Sequence, residues 1–82
     1  MKTSTPHAAL CRSLGAALKQ TRNAHPLSLA ELSDASGVTM SCISVIERGL
    51  SNPTIDTINR LATAMDTTPA NLLRFAEQIS TR

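Results

Sequence analysis

Few of the side chains able to carry catalysis or hold a metal stand at a useful spacing in this 82-residue chain. The two histidines, His7 and His25, and the two cysteines, Cys11 and Cys42, show none of the short pair spacings that a tetrahedral zinc site uses. No Ser/His/Asp set, no paired carboxylates and no glycine-rich phosphate loop is visible. The chain is therefore expected not to be an enzyme and to use no cofactor or metal. Phe75 is the one aromatic residue, without Trp or Tyr, which excludes a base-stacking platform or an aromatic-lined sugar pocket, since both need several π faces. What remains is recognition by polar, apolar and cationic side chains on a surface. Eight Lys and Arg against six Asp and Glu give a net charge of +2, mildly basic and compatible with nucleic acid.

Those side chains have to be positioned by a small fold. A chain of this length makes one domain and buries about 60–65% of its unfolded surface, so support from a second subunit is expected. A hydrophobic fraction of 41% suffices for a core. No stretch alternates as a strand would, and five short helices account for almost all of the chain. The first spans about 7–23, with Leu10, Leu14, Ala17, Leu18 and Thr21 on one face. The second, about 29–36, starts at a capping box of Ser28 and Glu31 and ends at Gly37. The third, about 40–48, is capped by Thr39 and buries Ile43 and Ile46. The fourth, about 55–65, is capped by Thr54 and has an inward stripe of Ile55, Ile58, Leu61, Ala62 and Met65. The fifth starts at Pro69 behind Thr68. Its apolar face is too broad for a small bundle to hide. Residues 1–6 are expected to be a flexible N-terminus and residues 7–82 a single domain. No apolar segment follows Lys2 as in a secretory signal, and no run approaches the roughly 18 residues that span a bilayer. A cytoplasmic location without membrane contact, and reduced thiols at Cys11 and Cys42, are expected.

The second and third helices carry the most information. A short helix, a tight turn at Gly37 and a second capped helix form the helix-turn-helix pattern. Gly37 tolerates positive φ, Ser33 is small enough for close approach, and Val38, Ile43 and Ile46 can fix the crossing. The outer side of the third helix would then be free to enter a major groove, whose width of about 12 Å admits one helix. Periodicity alone supports a plain helical hairpin in an all-α bundle equally well.

The segment Leu27 to Asn71 resembles the Cro/repressor (XRE) helix-turn-helix family. The resemblance lies in Ser36-Gly37-Val38, in Ile43-Ser44-Val45-Ile46-Glu47-Arg48-Gly49, in Asn52-Pro53-Thr54 and in Leu61-Ala62-Thr63-Ala64-Met65. It implies a compact lambda-repressor-like bundle of five helices and sequence-selective binding of double-stranded DNA by a transcriptional regulator. By the same resemblance Met40, Ser41, Ser44 and Val45 would face base edges. Arg48, Ser51 and Asn52 would meet phosphates, with Lys19 as a further candidate, and Arg22 would pair with Glu47 to fix the third helix against the first. At Leu29 the chain departs from the family, which usually has a phosphate-touching Gln there.

The readout set contains no Arg, Gln or Asn, the residues that make bidentate contacts to guanine or adenine. Sparse direct readout, with a larger share from DNA shape, is expected. Cys42 is expected to be a small filler, Cys11 a packing residue and Arg60 a solvated charge. A homodimeric repressor on a palindromic operator is the expected form, with half-sites about 34–36 Å apart. The fifth helix would dimerise through Leu72, Leu73, Phe75, Ala76 and Ile79. The alternatives are an antitoxin holding a toxin on another surface, disfavoured by the lack of a long disordered extension, a controller of a restriction–modification operon, and a helical protein-interaction module that never meets DNA.

Overall fold

The computed structural model describes residues 6–80, with side chains from Ala8 onward. Helix α1 (Pro6–Ala24) is followed by α2 (Leu29–Ser36), α3 (Met40–Glu47), α4 (Ile55–Ala64) and α5 (Pro69–Ser80), with no strand among the described residues. The all-α architecture of five helices is the one expected from the sequence. Of the expected flexible N-terminus, residues 1–5 lie outside the described residues, and Pro6 already opens α1.

Side-chain oxygens start four of the helices by taking up backbone donors that lack an intrahelical partner. Ser28 Oγ accepts from the Glu31 N–H at 3.0 Å while the Ser28 N–H donates to Glu31 Oε1 at 2.8 Å. The Ser28 backbone bond first, and its hydroxyl second, hold the Glu31 carboxyl below the usual carboxylate range. Thr39, Thr54 and Thr68 accept in the same way from Cys42, Thr57 and Asn71. The ends differ. Gly37 closes α2 at φ 76°, whereas α4 has no glycine and turns at Asp66, which takes φ 59°. Asp and Asn are the non-glycine residues that adopt this left-handed conformation most readily.

The long α1 packs along α5 and across α3, and α4 lies against α2 and α5. The core between them holds Leu14, Ala17 and Leu18 of α1, Leu32 of α2, Ile43 and Ile46 of α3, Ile58, Leu61 and Ala62 of α4, Met65, and Leu72 and Ala76 of α5. Two expectations are corrected by this packing. Leu10 and Ile55 head the apolar stripes of α1 and α4 but are 43% and 68% exposed, because both line an open groove between α1, α4 and α5. Leu72 and Ala76, assigned from sequence to a subunit contact, are 3% and 0% exposed inside the subunit itself.

Gly15 sets how closely α1 and α3 approach. A Cβ at this position would collide with the carbonyl oxygen of Ile46 and stand 2.8 Å from that of Glu47. Both obstacles are backbone at the end of α3, so no side chain can swing away. Replacing a glycine inside a helix by alanine normally gains about 1 kcal/mol in propensity. Gly15→Ala is expected to do the opposite: a lower Tm and faster amide exchange in α3. A raised Tm would show that the close approach is not required.

Candidate nucleic-acid interface

The axes of α2 and α3 turn through 114°, within the range of about 90–120° of helix-turn-helix pairs. The turn is built from Ser33 to Val38. The Gly37 N–H donates to the Ser33 carbonyl at 2.9 Å, and the Val38 N–H donates to Ser36 Oγ at 3.1 Å. Ser36 and Val38 are buried, so the turn is seated on the core. Leu29 is half-buried and packs on the core. An apolar residue suits that setting, and its side chain has no group to offer a phosphate.

Ile43 and Ile46 commit one side of α3 to the interior, at 0% and 2% exposed. At 100° per residue, the opposite side carries Ser41, Val45 and Arg48, with Ser44 beside them. Ser41 and Arg48 are exposed, while Ser44 and Val45 are half-buried. Met40, at 50% exposure, sits on one flank of this surface, and Cys42 is exposed on the other. The expectation of Cys42 as a small filler is thereby corrected: it lies outside the core because α3 places it between the inward and outward sides. Cys11 is half-buried. Beyond Arg48 the chain passes through Gly49, at φ 73°, into a loop where Ser51 is half-buried and Asn52 exposed. Lys19 is exposed on α1. Arg60 pairs with Asp56 at 2.8 Å with both side chains more than half exposed, a solvated helix pair worth a few tenths of a kcal/mol.

One side chain fastens the outward surface to the rest of the domain. Arg22 Nε donates to Glu47 Oε2 at 2.7 Å, Nη2 donates to Oε1 at 3.0 Å, and Nη1 donates to the Leu27 carbonyl at 2.9 Å. The side chains are 12% and 7% exposed. The hydrogen bond to Glu47 raises the Arg22 pKa, against desolvation that would lower it. This fork joins the last turn of α1 to the end of α3 and to the segment entering α2. Gly15 completes the seat one face along α1. Sequence reasoning passed over Gly15, although a lone glycine inside a helical pattern is a signal of close backbone approach.

Residues 18–72 match the model of the helix-turn-helix family HTH_3. Over 57 residues the chain is 39% identical to the HTH-type transcriptional regulator SutR of Escherichia coli K12, covering 70% of this chain and 32% of that protein. The chain thus spans about a third of the length of that curated relative. The crystal structure of the clp gene regulator ClgR from Corynebacterium glutamicum aligns with a TM-score of 0.84 at 29% identity, over 88% of this chain and 77% of that one. The restriction-modification controller protein C.AhdI from Aeromonas hydrophila aligns with a TM-score of 0.73 at 35% identity, over 76% of this chain and 94% of that one.

Removing one partner of a buried ion pair strands the other charge, at a cost of about 3–5 kcal/mol. Glu47→Ala is therefore expected to lower the Tm by at least about 12 °C at the usual 4–8 °C per kcal/mol for a domain of this size. An unchanged Tm would mean that the pair does not hold α3.

Proposed function

This chain belongs to the helix-turn-helix (XRE) family of DNA-binding transcription regulators, and on that premise we propose that it is a homodimeric repressor of the cytoplasm that lays α3 in the major groove of a palindromic operator. The observation that carries the reading is the division of α3 into two sides. Its isoleucines are locked into the core, and its opposite side presents side chains to solvent beside an exposed arginine. In this pose Met40, Ser41, Ser44 and Val45 face base edges. Arg48, Ser51, Asn52 and Lys19 meet the phosphate backbone. The hydroxyls of Ser41 and Ser44 discriminate little, and Met40 and Val45 offer apolar contact to thymine methyl groups. Sequence preference then comes in large part from DNA shape and flexibility.

A second reading, control of a restriction–modification operon, is favoured by the likeness to C.AhdI, most of whose length this chain matches. Both readings share the same interface and differ in the genes regulated.

Dimerisation would use an apolar surface at the end of the bundle. With Leu72 and Ala76 in the core, the remaining apolar residues of α5 fall on two flanks: Leu73 on one, Phe75 and Ile79 on the other. Leu73, Phe75 and Ile79 are all partly buried and pack on the core. Leu73 lines a groove of about 250 Å³ together with Leu10, Leu14, Ile55 and Ile58. Leu10 and Ile55 make this the flank with the most exposed apolar surface, suited to a self-complementary contact about a two-fold axis.

A mobility shift on the DNA just upstream of the protein's own gene tests the DNA reading. The wild type is expected to retard it, and Arg48→Ala to weaken binding uniformly across sequences. Failure of the wild type to shift any duplex would remove the reading. For the dimer, Ile55→Glu places a carboxylate in the first turn of α4, where the helix dipole favours it. The fold should survive and the variant should sediment as a monomer. A dimer that persists would locate the contact elsewhere.

A further inference from the structure

The geometry points to Arg12, on α1, as an additional phosphate-gripping residue that extends the DNA contact beyond the helix-turn-helix unit, an inference resting on the DNA-binding reading above. Arg12 lies outside the residues 18–72 that match the family. The stem of Arg12 lies on the residue that follows Arg48. A Cβ at Gly49 would stand 2.8 Å from Arg12 Cα, 2.9 Å from Cγ and 3.3 Å from Cβ. Only a glycine at the exit of α3 lets the two segments touch in this way. Arg12 is exposed, and its side chain has no ion-pair partner among the described residues.

Two further features place Arg12 beside the backbone-facing loop. Ala8 and Cys11, preceding it on α1, border a cleft whose other wall is Gly49, Leu50, Ser51 and Asn52. The first turns of α1 therefore run alongside the loop that carries the proposed phosphate contacts. Arg12, Gly15 and Lys19 also recur at three and four residues, on one side of α1. Gly15 fixes that side against the end of α3. The two cations thus flank the seat of α3, about 10 Å apart along the α1 axis at 1.5 Å per residue. The stem of Arg12 rests on Gly49, the residue after Arg48, and its planar fork suits a phosphate better than a point charge would. Such a contact positions the protein and carries no sequence information.

The test is the salt dependence of binding to a mixed-sequence duplex of about two helical turns, between about 50 and 200 mM NaCl, where each neutralised phosphate adds about 0.9 to the log–log slope. Arg12→Gln keeps the Cβ and Cγ that rest on Gly49 and removes the charge. Each subunit of the proposed dimer contributes one Arg12, so the slope should fall by about 1.8 per bound dimer with an unchanged melting curve. Arg12→Lys should keep the wild-type slope. Arg74→Gln, which removes a cation from α5, should also keep it. A wild-type slope in Arg12→Gln overturns the inference, and so does an equal fall in Arg74→Gln, which would report net charge alone. If the wild type itself binds no duplex, the DNA reading fails first and takes this inference with it.

Discussion

The guanidinium of Arg22 is the joint on which the interface depends. It bonds both the end of α3, through both oxygens of Glu47, and the segment leading into α2, through the Leu27 carbonyl. The two parallel bonds from Nε and Nη2 constrain rotation as well as distance. Gly15 adds the complementary constraint by letting the α3 carbonyls press onto α1. Between them, an attraction and a missing methyl group determine where α3 lies. The hydrophobic contacts of Ile43 and Ile46 resist its withdrawal but direct it less, because burial is non-directional.

Rigid mounting matters more here because the outward side chains of α3 are chemically modest. Two serines, a valine and a methionine offer neither the charge nor the forked donors that identify a base by themselves. A surface of that kind can read DNA only if its position is reproducible, so that small differences in groove width and bending are felt as differences in fit. The distribution of cations follows the same logic. They stand at the end of α3 and on α1, where in the proposed pose they would set affinity and register, apart from the proposed readers.

The elements were legible in the sequence because their signals are local. Ser28 with Glu31, Thr39, Thr54 and Pro69 each mark a start within a few residues, and each observed boundary lies within one residue of the expected one. The end of α4 had no glycine to announce it, and Asp66 served instead. The Arg22–Glu47 pair was reached through the family resemblance and not through spacing, since its partners are remote along the chain. What stayed illegible is tertiary. The apolar face of α5 shows its breadth in the sequence, but which part is covered depends on where α1 lies. Leu72 and Ala76 fell under that cover and Leu73 at its edge. Leu10 and Ile55 have the periodicity of core residues but border an open groove that no helix fills. Arg12 has no sequence signal at all; its position follows from the contact with Gly49.

The pairing of α1 with α5 gives the molecule its thermodynamic character. The first and last helices pack on each other, with α3 against the one and α4 against the other, so the bundle closes only when distant parts of the chain meet and the loop entropy has been paid. With α2 seated on α3 and α4, and these on α1 and α5, the whole should melt as one cooperative unit. A partner that engages α5 from outside then steadies α3 as well, though it never touches it. Occupancy at one end of the molecule and order at the other become two expressions of a single equilibrium.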